Sequence, residues 1–396
     1  MDTLNNIIIN DIEYDITSYS TEQTKNKYIL SFGDQLSNYS SNIRYHYHNV
    51  DGFFIEVNGN ENDSSVYSIE IYDNNNLVYS DSINLNTWIK LNKQYYGNYY
   101  FLIKKDGNII HSEELTLQNK RVFISFESKS LGDNIAWIPY CEEFRKKHNC
   151  QLIVSTFWNK FFIEPYPNIE FVEPGTVVNN IFALYRIGWF WNNYKEPEKP
   201  NLIPLQKSAT NILGLDFKEL KPSIYYIPKK VYDFKYITIA THSTAGCKYW
   251  HYPNGWQQIV DYLNYKGYKV VHVSKENTDL ENVIQIEDSS IENTMSVIHN
   301  SEFFIGLSSG LSWLSWALNK HVIMISNFTS PDHEFTSNCS RITNPDVCNG
   351  CWNNPMFMFD KSDWYWCPEY KNTSRHFECH KTITPEMVIE SIDNLL

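Results

Sequence analysis

The spacing of apolar residues changes twice along the chain. Up to about residue 118, short runs alternate apolar and polar positions, as in Lys27-Tyr-Ile-Leu-Ser-Phe32, Phe53-Phe-Ile-Glu-Val57, Val66–Tyr72 and Tyr99–Lys104. Turn-forming clusters separate them: Asn58-Gly-Asn-Glu-Asn62, Asp73-Asn-Asn-Asn76 and Lys105-Asp-Gly-Asn108. Period-two runs with such punctuation predict a small antiparallel barrel or sandwich over residues 1–118. From Arg121 the apolar runs become continuous. Val122-Phe-Ile-Ser-Phe126, Gln151–Thr156 and Ile169–Val172 read as strands covered on both faces. A helix is expected from about Asn134 to His148, with Ile135, Ile138 and Phe144 apolar. Residues 175–234, rich in aromatics and then in proline, read as a peripheral lobe and a linker. Strands at Ile237–Ala240, Lys269–Val273, Val283–Ile286, Phe303–Ile305 and Val322–Ile325 then alternate with helical stretches, which predicts a parallel sheet.

The expected architecture is therefore α/β. It has a β domain (1–118), two Rossmann-like domains (119–234 and 235–343) facing a cleft, and a cysteine-rich finger with a closing helix (344–396). Composition narrows the function. With a net charge of −13, a duplex-binding surface is not expected, and nucleic acid is set aside as a partner. No apolar run approaches the roughly 20 residues of a membrane span. The opening Met1-Asp-Thr-Leu lacks a basic start followed by an apolar core, so a cytoplasmic protein is expected. Its eight cysteines then read as thiols or metal ligands rather than disulfides.

The candidate chemistry lies where strands end. Gly132-Asp133 falls at a strand-to-helix turn, where the carboxylate either caps the helix or acts as a base at the cleft rim. Thr241-His-Ser-Thr-Ala-Gly-Cys-Lys248 offers hydroxyls, amides and a cation to phosphate oxygens, although it lacks the ending of a P-loop. Glu276 closes the next strand, a position from which carboxylates accept ribose hydroxyls. Ser308-Ser309-Gly310 opens a late helix whose free amides either bind diphosphate or are capped by serine. Thr241, Ser243, Thr244, Lys248, Glu276, Ser308, Ser309 and Gly310 are the candidate donor-binding residues. The aromatic run Trp189-Phe-Trp191 either shapes a pocket or only packs. Cys348, Cys351, Cys367 and Cys379 have the spacing C-x2-C-x15-C-x11-C of a tetrahedral metal site, with Asn349-Gly350 turning the chain between the first two. Spacing alone favours zinc; a thiolate site also accepts one iron, and buried free thiols are the plain alternative. His376 and His380 are possible substitute ligands. Cys141, Cys150, Cys247 and Cys339 read as core residues.

Taken together and in order, these features resemble the ADP-heptose glycosyltransferases of the GT-B fold. Four motifs carry the resemblance over residues 121–330: Ser130-Leu-Gly-Asp133, Lys248 in its Ser/Thr-rich loop before Trp250, Glu276, and Ser309-Gly310-Leu-Ser312. The resemblance implies Asp133 as general base, Lys248 on the donor phosphates, Glu276 on the ribose, and Ser309 with Gly310 on the diphosphate. The chain departs from that pattern at Ser308, where those enzymes usually carry Asp. The N-terminal β region and the four-cysteine segment look like the bacterial autotransporter heptosyltransferases. That subfamily implies heptose transfer from ADP-heptose to serine or threonine hydroxyls of a surface adhesin, with inversion. It also implies iron in the cysteine finger and a large homo-oligomer. The alternatives are a lipopolysaccharide-type heptosyltransferase with a glycan acceptor and a non-catalytic sugar-nucleotide-binding scaffold.

Overall fold

The computed structural model describes residues 43–396 and three short upstream strands, Asn6–Ile9, Ile12–Asp15 and Tyr28–Ile29. Most of the run expected at 27–32 lies outside the described residues.

Two sheets organise the α/β part. Arg121–Phe126 and Gln151–Ser155 are buried along nearly their whole length, as their unbroken apolar runs require. They sit in a sheet ordered Glu170–Val172, Gln151–Ser155, Arg121–Phe126, Ala183–Ile187. These four strands are parallel. Ala183–Ile187 lies in the stretch expected to be peripheral; it is instead a central strand, with all its residues buried but Arg186. Arg186 hides the strand from a hydropathy reading because it pairs with Asp51 of the N-terminal region.

The same sheet then continues with residues from before position 118. Ile43–Val50 runs parallel to Ala183–Ile187, followed by Phe53–Gly59 and Thr87–Lys90, both antiparallel to their neighbours. A separate four-stranded antiparallel sheet, ordered Asn108–Glu114, Tyr99–Lys105, Tyr67–Asp73, Asn76–Ile83, covers this extension. Its alternation places Ile69, Ile71, Phe101 and Ile103 inward. Edge-to-face and tilted rings join the two layers, Tyr47 to Phe101 at 5.1 Å and Phe53 to Tyr99 at 4.9 Å between centroids.

The second sheet has six parallel strands in the order Ile284–Gln285, Lys269–His272, Tyr236–Ile239, Phe304–Leu307, Val322–Ile325, Cys339–Ile342. Counted along the chain this is 3-2-1-4-5-6, the doubly wound order of dinucleotide-binding folds. The closing helix Pro385–Asp393, started by Thr384 and Pro385, seals its outer face through Val388 and Ile392.

The halves meet through two helices, Leu131–His148 of the first and Gly310–Ala317 of the second, and one apolar core runs through both. The helix starts touch at backbone level. A Cβ on Gly132 would stand 3.2 Å from the Cα of Gly310 and 3.2 Å from the Trp313 ring. Glycine at position 132 permits that approach. No described helix is long and apolar enough to cross a membrane.

Candidate active site

Both sheets reverse their strand order next to their first strand, and such points open a crevice beyond the carboxyl ends. In the first half the loop leaving Phe126 carries Ser128 and Ser130 and leads into Gly132 and Asp133 in the first turn of the helix. In the second half, the loops leaving Ile239, His272 and Leu307 carry Lys248, Glu276 and Ser309. These loops converge on one cleft of about 820 Å³. Asp133, Ser243, Thr244, Lys248, Glu276, Ser308, Ser309 and Gly310 all line it.

Asp133 does not cap its helix. The helix begins at Leu131, earlier than the expected Asn134, and Ser130 is the cap, its hydroxyl accepting from the Asp133 amide at 3.5 Å. That frees the Asp133 carboxylate for other partners. Its Oδ2 accepts the Ser128 hydroxyl at 2.6 Å and the Trp189 indole N–H at 2.9 Å. Oδ1 takes no hydrogen bond from the described residues. Burial pushes the Asp133 carboxyl above its usual range, while Ser128, Trp189 and the charge of Lys248 pull the other way.

Lys248 ends the short turn Gly246–Lys248, with Nζ 5.7 Å from the centre of the Phe328 ring. No carboxylate among the described residues pairs with it. An unpaired cation in a cleft suits an anionic ligand. The Gly310–Ala317 helix opens without a side-chain cap: Ser309 occupies the cap position but its hydroxyl makes no such bond. The Ser309 Oγ is buried without a partner, and so are Ser243 Oγ, Ser274 Oγ and the Trp352 indole nitrogen. All four belong to cleft-lining residues. Buried polar atoms are rarely left unpaired, so a cluster of them around one cleft marks groups that a polar ligand would satisfy.

Thr241 does not line the cleft. It follows the strand directly and is buried, its hydroxyl bonded to His272 Nε2 and His242 Nδ1, both at 2.9 Å. It braces the loop from beneath rather than facing the ligand. Glu276 stands at the cleft beside Ser274, and Ser308 donates to Glu334 Oε1 at 2.5 Å.

Glu334 is a cleft residue that belongs to no recognisable sequence motif. Burial pushes its carboxyl up, but Arg341 at 2.6 Å, His333 and the Ser308 hydroxyl outweigh that and hold it down at about 2. Thr329 Oγ1 also donates to it, at 3.0 Å. Its partners are distant in sequence, so no motif announces it. Ser308 thus presents a serine hydroxyl bonded to a buried carboxylate. Trp352 also lines the cleft, and no local motif announces it.

The four late cysteines form no disulfide. Cys351 and Cys367 pack into one small aromatic core with Phe328, Trp366 and Phe377; burial first, and then the charges of Cys348, Cys351 and Cys367, push the Cys379 thiol up. Four thiols of this kind suit a thiophilic ion by donor type. Among the described residues, however, no three His, Cys, Asp or Glu side chains are drawn together closely enough to hold one. His380 is committed elsewhere, with Nδ1 3.3 Å from Cys379 Sγ and Nε2 3.3 Å from the Asn327 amide, and His376 faces the Tyr365 carbonyl.

Two Rossmann-like halves closing on a cleft that carries an acid on one side and a cation with free helix amides on the other define a glycosyltransferase-like fold of the GT-B type. No protein-family model matches the sequence. Individual relatives do. The chain is 35% identical over 325 residues to the autotransporter heptosyltransferase Aah of Escherichia coli, covering 78% of this chain and 83% of Aah. The crystal structure of the iron-containing dodecameric glycosyltransferase TibC from enterotoxigenic E. coli H10407 matches with a TM-score of 0.78 at 28% identity, over 89% of this chain and 95% of that one. A further TibC structure is a complex with ADP-D-β-D-heptose. BimC of Burkholderia thailandensis, an inactive autotransporter heptosyltransferase, is 30% identical over 313 residues, 74% of either chain. The chain belongs to the autotransporter heptosyltransferase family.

Proposed function

We propose that the protein transfers heptose from ADP-heptose to serine or threonine hydroxyls of an autotransporter adhesin, with inversion at the anomeric carbon. The observation that carries the reading is the facing arrangement of Asp133 and the Lys248–Ser309 side around one cleft in a member of this family. Asp133 Oδ1 takes the proton of the acceptor hydroxyl as its oxygen bonds to the anomeric carbon. Ser128 and Trp189 fix the carboxylate through its other oxygen. The bond from that carbon to the diphosphate oxygen breaks, and ADP leaves with the electron pair. Lys248 and the amides at Ser309 and Gly310 receive the growing negative charge, aimed in advance and needing little rearrangement. Ser243, Thr244 and Glu276 hold the rest of the nucleotide, with Glu276 on the ribose.

Cys348, Cys351, Cys367 and Cys379 would hold one iron, as the iron-containing TibC suggests, with zinc as the alternative. The ion's chemistry there is that of a cross-link between distant parts of the chain. Dodecameric TibC likewise supports a large homo-oligomer. Gently purified protein is expected to hold about one ion per chain, and Cys379→Ser to lose it; protein free of both iron and zinc overturns the site.

The direct test is mass spectrometry of a candidate adhesin co-expressed with the protein, with and without ADP-heptose synthesis. A fixed increment on serine or threonine, present only with both, is expected. A glycan labelled in place of the adhesin would move the protein to the lipopolysaccharide-type reading. A non-catalytic scaffold is the second reading, favoured by inactive BimC and by Ser308. It predicts tight ADP-heptose binding with no increment on any acceptor.

A further inference from the structure

The cysteine-rich segment is more than an appendage to the two halves. Trp352, Phe359 and Trp364, all within it, line the cleft. Trp364 lies against the lysine loop: a Cβ on Gly246 would stand 2.5 Å from its indole nitrogen.

Trp352 has the more informative position. On one side its ring meets Trp189 edge to face, with centroids 5.5 Å apart, and Trp189 is the residue whose N–H bonds Asp133. On the other side its ring lies 6.0 Å from that of Phe328, over which Lys248 Nζ sits. Trp352 thus joins the wall that carries the base to the wall that carries the cation. Backbone bonds hold it there. Its amide donates to the Phe328 carbonyl at 3.1 Å, and its carbonyl accepts from Asn201 Nδ2 at 3.1 Å. With the ring fixed, its indole N–H is still buried and has no partner.

In a displacement at an anomeric carbon the sugar lies between the base and the leaving diphosphate. A side chain touching both walls flanks that sugar. An indole suits the place, offering an apolar face to the sugar's C–H groups and one donor to a hydroxyl. We propose that Trp352 binds the sugar moiety of the donor, its N–H donating to a sugar hydroxyl. The cysteine-rich segment then supplies part of the donor specificity. This rests on the functional reading above and assigns the sugar subsite within it.

The test is calorimetric titration of full-length wild-type protein and Trp352→Phe with ADP-heptose and with ADP. Phenylalanine keeps a ring and removes the donor. Trp352→Phe is expected to bind ADP-heptose about five-fold more weakly, the worth of one neutral hydrogen bond, and ADP as tightly as wild type does. The unchanged ADP affinity also reports an intact cleft. Equal wild-type and variant affinities for ADP-heptose overturn the assignment, as does an equal loss for both ligands. Wild-type protein that binds neither ADP-heptose nor ADP overturns the functional reading, and this proposal with it.

Discussion

Asp133 and Glu334 line the same cleft, both buried, and are driven in opposite directions. Burial dominates at Asp133, whose partners are two neutral donors and a lysine acting at a distance, so its carboxyl rises. At Glu334 burial acts the same way, but the Arg341 guanidinium in direct contact overrides it and the carboxyl falls to about 2. The Asp133 carboxyl is therefore shifted toward accepting a proton, while that of Glu334 is held as an anion. Pairs split in this way sort chemistry from structure. Asp133 suits proton transfer, whereas Glu334 holds Ser308 and so the turn that leads into the amides of Ser309 and Gly310.

Breaking each member should fail differently. Asp133→Asn should lower transfer to the acceptor by about 10²–10⁴-fold. ADP affinity should hold, and stability should stay level or rise, since a buried charge has been removed. Unchanged turnover would strike Asp133 from the mechanism. Glu334→Gln leaves Arg341 buried beside a neutral group and should cost about 3–5 kcal/mol of stability, read by chemical denaturation. A loss of activity without a loss of stability would recast Glu334 as a participant in the chemistry. Acid should separate the two even in wild type. Glu334's stabilising contribution is complete above 4.5, its ordinary value, and is lost as the pH falls toward about 2. Asp133 works the other way, because protonation on acidification favours the fold down to its ordinary 3.8.

The smallest effect should sharpen the comparison most. Ser128→Ala removes a hydrogen bond that favours the charged form of Asp133, so the carboxyl should rise further. The acidic limb of kcat/KM should shift to higher pH, with activity falling along that limb. An unmoved limb would mean that another group sets it.

Much of the second half could be read locally. Each strand there ends in a loop with its own polar signature, and the order of those loops follows chain order, so Lys248, Glu276 and Ser309 were found without knowing any long-range pairing. Thr241 came with them only because it shares their loop; its position immediately after the strand turns its hydroxyl onto His272. The first half was less legible. That Ile43–Val50 would lie beside Ala183–Ile187 depends on a pairing across more than a hundred residues, and no local pattern records it. The same distance hid Glu334, whose meaning depends on Ser308 and Arg341. Trp352 carries no local signal either, because its place depends on Trp189 and Phe328, both distant along the chain.

The contact of Gly132 with Gly310 has a mechanical consequence. The peptide segments bearing Asp133 and the Ser309–Gly310 amides abut with no side chain between them, so main chain alone sets their spacing. Should one half rock against the other, this contact is the natural fulcrum: the mouth of the crevice would widen while the reacting centre stayed in gauge. A larger residue at Gly132 would act as a wedge driven into the pivot.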